Sequence, residues 1–404
     1  MKIIYLHQYF KKPNENGGTR SFDLATSFVK KGIDVEVIST TSDKSGFLDK
    51  KWKVEFVNGV KINYLYLPYD NSFSSIKRIY IFILFLWHSL IKLIKTDGDL
   101  VLATSTPLTI GIPAIIKKLA HKTPYVFEVR DVWPEAVIAI GAIRNFLVKK
   151  CLFWLEEVIY RRSVAIVPLS SDMQESIITR FPQFEAKTRI VIENISEVTR
   201  FQSDSKDSIW EQVLGTMPRF SVLYAGTFGK VNGVHKIVEL AEKTYRLDDK
   251  IIYVLVGAGS EKESVISLAE EKNVLGRNVF ILDPVSKGEL PLWYNSASMG
   301  SSFVVDIPQL WANSANKFFD TLAAGKPILI NHEGWQAKAI RSHNIGYVLP
   351  CAITDKAAED FYKYTINYEL ISRQGKRALE LAIEVYSLER AVEKYLQIFK
   401  SIET

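Results

Sequence analysis

The 404 residues are 47% hydrophobic, with 51 lysines and arginines against 45 aspartates and glutamates, and they include just two cysteines, Cys151 and Cys351. That composition excludes a disordered chain, a disulfide-stapled secreted module and a cysteine-rich metal centre, and the length accommodates two domains. A formal charge of +6 suits an anionic small ligand or an anionic membrane face as well as it suits nucleic acid.

The start of the chain reads as a strand, a glycine-containing loop, a helix and a second strand. Residues 2–6 are short, apolar and β-branched, so they are expected as a buried strand. Phe22, Leu24, Ala25, Phe28 and Val29 recur at helical spacing, Gly32 ends that helix, and 34–38 form the next strand. Gly17 and Gly18 stand between strand and helix, where they let the backbone approach a ligand at the carboxyl end of the first strand. Lys2 is followed at once by strand-like sequence, so no signal peptide is expected.

Further strands are expected at 61–66, 99–103, 125–129, 163–167 and 189–192, with helices at 107–120 and 144–161 between them. Residues 73–95 hold nine consecutive apolar or aromatic residues from Ile79 to Trp87, flanked by Lys77, Arg78, Lys92 and Lys95. Roughly 20 apolar residues are needed to span a bilayer, so this is not a transmembrane segment. It is either a helix lying on an anionic membrane surface, or a helix packed partly into the core of its domain, or both, with one end buried and the other touching lipid. Arg130 leaves the strand 125–129 between Glu128 and Asp131; it either binds an anion or pairs with one of those two carboxylates. Asp97-Gly98-Asp99 stands at the entrance of a strand, the wrong end for a ligand, and reads as a turn. The six histidines lack zinc-ligand spacing, so no metal is expected. His7, just after the first strand, is either a cleft residue or a buried polar one.

Residues 193–219 are polar and read as a linker or surface helix. A second series of strands follows at 220–225, 250–256, 278–282, 298–305, 327–331 and 346–349, with helices at 233–246, 261–271, 316–324 and 334–343. Gly226, Gly229 and Gly233, then Gly257 and Gly259, occupy strand-to-helix turns, where free N–H groups and a helix dipole suit a phosphate. Tight turns demanded by the fold would use the same residues. In NKFFDTLAAGKP, Asn316 and Asp320 share a helix face, and Lys317 sits in the first turn, where a cation opposes the dipole. It either serves an anionic ligand or is a solvated surface lysine paired with Asp320 at i,i+3. The expected domains are 1–200, with 386–404 packing back on it, and 201–385.

The Gly17-Gly18 loop, YAGTFG, VGAGSE and NKFFDTLAAGKP together resemble the retaining glycosyltransferases of family 4, over nearly the whole chain. The resemblance is to the bacterial surface-polysaccharide branch, including the enzymes that add N-acetyl-L-fucosamine in O-antigen synthesis. It implies an α/β GT-B fold, in which two Rossmann-like domains face each other across a cleft, the first binding acceptor and the second binding nucleotide sugar. It also implies a UDP-sugar donor, an undecaprenyl-diphosphate-linked sugar acceptor in O-antigen or capsule synthesis, a place on the inner face of the cell membrane and no cofactor. The residues implied at the reaction centre are Lys317, Gly18, Arg130 and Asn316. Those implied to hold the donor are Gly17, Gly18, Phe228, Gly229, Lys230, Gly257, Gly259, Lys317 and Asp320, with Asp320 on the ribose hydroxyls.

Two positions depart from the family pattern. The first carboxylate of its Glu-x7-Glu motif falls on Ala312, and its phosphate-binding Arg and Lys fall on Thr227 and Asn232. Backbone N–H groups around Phe228 and Gly229, with Lys317, are then expected to meet the diphosphate. Three other functions compete. A nicotinamide oxidoreductase would need a third glycine after Gly257-Ala258-Gly259, where Lys262 stands. A nucleic-acid binder would need stacking aromatics in a basic patch, and the aromatics here lie in apolar runs. A UDP-sugar 2-epimerase shares the two-domain fold, and a GDP-sugar could replace the UDP-sugar as donor.

Overall fold

A computed structural model describes residues 1–13, 15, 17–47, 51–69, 73–201 and 208–403. They fall into two compact units: Met1–Glu193 with Ala312–Ser314 and Leu388–Thr404, and Asn194–Trp311 with Ala315–Ser387.

The first unit is built on seven strands: β1 (Lys2–Leu6), β2 (Asp34–Thr41), β3 (Trp52–Val57), β4 (Val60–Tyr66), β5 (Leu100–Thr104), β6 (Tyr125–Val129) and β7 (Ala165–Pro168). Their order is β3-β4-β2-β1-β5-β6-β7. All neighbours are parallel except β3 and β4, which form an antiparallel hairpin closed at Asn58-Gly59. The hairpin was not expected: β3 alternates exposed and half-buried residues at the sheet edge and lacks an apolar run. The central strands are buried on both faces, which is why their sequences are continuously apolar. Helices Ser75–Ile94, Gly111–His121 and Phe146–Arg162 connect successive strands in one direction across the sheet, so right-handed crossovers place them side by side on one face. Helix Arg20–Lys30 runs in the opposite sense and covers the other face. There Phe28 meets Tyr395 and Phe399 of the last helix, Leu388–Glu403, with ring centroids 5.6 and 5.3 Å away.

Residues 189–192, expected as a strand, are outside the sheet; the Ile192 N–H bonds Pro168 O, and its carbonyl accepts from the Arg20 guanidinium. Among the described residues of 193–219, Val198–Phe201 and Trp210–Leu214 are short helices. The linker expected there is partly core, since Trp210 is buried and its indole N–H donates to Ser296 O. Residues 202–207 of that segment lie outside the described residues.

The second unit holds six parallel strands: β8 (Phe220–Ala225), β9 (Ile251–Val256), β10 (Val279–Leu282), β11 (Met299–Ser302), β12 (Ile328–Ile330) and β13 (Gly346–Val348). Their order is β10-β9-β8-β11-β12-β13. Helix Asn316–Ala323 returns from β11 to β12 and buries Phe318 and Phe319 against Trp335 and Tyr386. Both sheets therefore have the Rossmann-like arrangement, with chain order reversing between β1 and β5 in one and between β8 and β11 in the other. Ligand crevices form at the carboxyl ends of strands at such reversals.

Candidate active site

In the second unit three segments converge on the β8–β11 reversal. The chain leaves β8 through Gly226 and Gly229, leaves β9 through Gly257 and Gly259, and enters helix Asn316–Ala323 at Lys317. The glycines let the two turns touch. A Cβ on Gly257 would lie 1.9 Å from Gly226 O, and one on Gly259 would lie 2.3 Å from Phe228 O. Phe228 is buried; its N–H donates to Ala258 O, and its own carbonyl accepts from the Glu261 N–H. This corrects the expectation that the Phe228 amide faces a phosphate, because that donor is already used to join the turns. Lys230 and Thr227 are exposed, and Gly229 is half-buried.

Lys317 is 9% exposed. Its Nζ donates to the Tyr224 hydroxyl at 3.0 Å and lies 4.2 Å from the centre of that ring. The Tyr224 hydroxyl in turn donates to Thr227 O at 2.7 Å. These partners are neutral, and burial pushes the ammonium down to about 8. The expected alternative, an ion pair with Asp320, is not formed: Lys317 turns towards Tyr224 and the β8 turn, where a Cβ on Gly226 would stand 3.1 Å from Nζ. Asp320 lies three residues on and is half-buried. Burial pushes its carboxyl up to about 6, against the opposing pull of Lys287 and Arg200. Asn316 is exposed, and its Oδ1 accepts from Asn194 Nδ2 at 2.7 Å. A desolvated cation and a carboxylate one helical turn apart can hold, respectively, an anionic group and a pair of hydroxyls.

In the first unit the carboxyl ends of β1 and β6 carry the polar residues. Gly17 has φ +124°, a conformation that side chains resist, and Gly18 is half-buried. Arg20, which follows two residues later, has a structural task. Buried, it contacts Glu128 at 3.3 Å and donates to the carbonyls of Ile192 and Glu193 at 2.9 and 3.1 Å. Glu128 also accepts from the Tyr395 hydroxyl, so this buried group ties the last helix to β6. The sequence signal for it was a carboxylate inside an apolar strand, which burial allows only with a cationic partner.

Arg130 is half-buried, and its guanidinium donates to Ser21 Oγ at 3.4 Å. Neither carboxylate expected to pair with it does so, since Glu128 is taken by Arg20 and Asp131 accepts from Thr106. His7 is buried nearby, and burial together with Arg130 and Arg20 holds its imidazole well below its ordinary range. Ala312 is buried with Val132, Leu169 and Met173. The position that carries a carboxylate in the resembled family is therefore an apolar pocket here. Asp99 accepts the Lys2 N–H at 2.6 Å at the entrance of β5. Among the described residues no cluster of three metal-ligating side chains occurs.

Two family models match consecutive parts of the chain: "Glycosyltransferase Family 4" over residues 17–194 and "Glycosyl transferases group 1" over 207–380. Spore coat protein SA of Bacillus subtilis is 22% identical over 294 residues, 70% of this chain and 77% of that protein. The poly(ribitol-phosphate) alpha-N-acetylglucosaminyltransferase of Staphylococcus aureus is 21% identical over 229 residues, 56% of this chain but 43% of that protein. Among solved structures, Anabaena HepE in complex with UDP and glucose superposes with a TM-score of 0.74 at 13% identity, covering 99% of this chain and 100% of that one. That likeness is one of fold.

Proposed function

The chain is a glycosyltransferase of the GT-B fold, and on that premise we propose that it moves an N-acetylated hexosamine or deoxyhexosamine, N-acetyl-L-fucosamine among the candidates, from a UDP-sugar to a lipid-diphosphate-linked sugar, with retention of configuration. The product belongs to O-antigen or capsule synthesis, and the enzyme works on the inner face of the cell membrane through helix Ser75–Ile94. The observation that carries the donor assignment is the desolvated Lys317 with Asp320 one turn away at the β8–β11 reversal. The UDP held by HepE and the N-acetylglucosaminyl group named for the staphylococcal relative support the choice of donor.

As the C1–O bond to the diphosphate breaks, negative charge grows on the leaving oxygen, and Lys317 is positioned to meet it. The acceptor oxygen attacks C1 from the same face, and its proton passes to the departing phosphate oxygen. No nucleophilic carboxylate is required by that route, in keeping with the apolar surroundings of Ala312. Asp320 accepts from the ribose hydroxyls, and Arg130, whose guanidinium reaches Ser21 Oγ, contacts the acceptor.

The test is nucleotide release from a panel of UDP- and GDP-sugars, with and without lipid-linked acceptor, joined to calorimetry with UDP. Asp320→Ala should weaken UDP binding by about 1–3 kcal/mol, the cost of losing a charged hydrogen-bond acceptor. Release from GDP-sugars alone, sugar epimerisation in place of release, or unchanged UDP affinity in the variant would each overturn the donor assignment. For the membrane, wild type should sediment with anionic vesicles, and changing Lys77, Arg78 and Lys95 to glutamine should release it.

A further inference from the structure

The first unit carries an unusual surface on the outer side of its three-helix layer. Along helix Ser75–Ile94, Ile76 is 82% exposed, and Ile79, Tyr80, Ile83 and Trp87 follow it on the same solvent-facing side. Helix Gly111–His121 lies between this helix and Phe146–Arg162 and touches both. The latter opens with Phe146 and Leu147, 73% and 72% exposed, and presents Trp154 at 61%. Soluble surfaces seldom show so many large apolar side chains within one layer.

The charge of this layer is as one-sided as its hydropathy. Residues 73–96, 100–127 and 136–162 contain twelve lysines and arginines against two glutamates, of which Glu156 is buried and paired with Arg180, and Glu157 is paired with Arg161. The whole chain has a formal charge of +6, so the remainder is net negative. In both outer helices the first turn lacks an acid and the opening turns carry cations: Lys77 and Arg78 in one, Lys149 and Lys150 in the other. Both helices begin at the carboxyl end of the sheet, because each follows a parallel strand there. Cations at a helix start oppose its dipole, and an external anion relieves that.

We propose that helix Phe146–Arg162 is a second membrane anchor beside Ser75–Ile94, so that the outer face of the three-helix layer lies on an anionic bilayer. This deepens the membrane reading above and rests on it. Apolar side chains enter the headgroup region while the interspersed cations meet lipid phosphates, the combination that interfacial helices use. Self-association of this face would oppose two strongly positive surfaces, and a nucleic acid would leave Ile76, Ile79 and Leu147 without a partner. Two anchors separated by a helix also fix which way the unit stands on the membrane, which one helix alone cannot do.

Cys151 supplies a native reporter, since it is exposed on this helix, while Cys351 is half-buried with its thiol pushed up to about 11. An environment-sensitive fluorophore on Cys151, in a Cys351→Ser background, should shift to the blue on adding phosphatidylglycerol-containing vesicles and stay unchanged with neutral ones. Phe146→Ser/Leu147→Ser should weaken vesicle affinity about tenfold with an unaltered circular dichroism spectrum. Ile76→Ser/Ile79→Ser is measured beside it. If that second variant loses binding while the Phe146/Leu147 variant and the Cys151 probe do not respond, helix Ser75–Ile94 is the sole anchor and the inference fails, with the membrane reading intact. If wild type does not bind vesicles at all, both fail. A probe response to duplex DNA or to rising protein concentration, and none to vesicles, would assign the face to nucleic acid or self-association and likewise overturn it.

Discussion

Replacing Lys317 with methionine should stabilise the ligand-free protein at pH 7 while abolishing tight UDP binding. Burial pushes this ammonium from 10.5 to about 8. A pKa unit is worth about 1.4 kcal/mol, so at neutral pH, where the group is charged in both folded and unfolded chains, the lysine costs the fold about 3 kcal/mol. Methionine keeps the apolar stem but leaves the Tyr224 hydroxyl without its donor, a loss of about 1 kcal/mol. The expected net gain is therefore about 2 kcal/mol. The pH dependence carries the sign. Because the folded pKa is depressed, the cost is fully present below about pH 8 and is relieved as pH rises towards 10.5, where the unfolded chain also loses its proton. By pH 9.5 about 2 kcal/mol of the advantage should be gone. Urea unfolding of wild type and variant at both pH values, followed by circular dichroism, measures it. A variant less stable than wild type at pH 7, or an advantage independent of pH, would refute the account of Lys317 as a cation held out of water for a ligand.

Arg20→Met should destabilise by about 3–5 kcal/mol, since it strands the buried Glu128 carboxylate, and should loosen the last helix as seen by hydrogen exchange around Tyr395. Ala312→Glu, which restores the family carboxylate, should lower the thermal midpoint and leave kcat no higher, because the side chain enters the apolar group of Val132, Leu169 and Met173. Gly257→Ala should cost at least about 2 kcal/mol and weaken UDP binding, as its methyl would collide with Gly226 O and force the β8 turn from Lys317; normal stability would show that the two turns are not locked together.

The local chemistry of the strands was legible in the sequence because it obeys short-range rules. Buried parallel strands are runs of apolar residues, helices repeat every 3.6 residues, and glycines mark the turns, so β1, β2 and β8–β13 stand close to where the pattern placed them. Edge strand β3 was missed for the same reason: half exposed, it has no run to read. The sequence alone also brought out Lys317 and Asp320 as neighbours on one helix, since i and i+3 need no tertiary information.

What those residues face was decided only by the fold. Lys317 had two candidate partners at the level of sequence, its own helix or a ligand. The return of that helix over the β8–β11 reversal aimed it at Tyr224, 93 residues away, and took it out of water. Arg130 likewise had two carboxylates near it in sequence, and Glu128, two residues back, even shares its side of an extended chain, yet packing gave Glu128 to Arg20 and Asp131 to Thr106. Burial and long-range pairing depend on which segments meet across the sheets, and no window of a few residues contains that information.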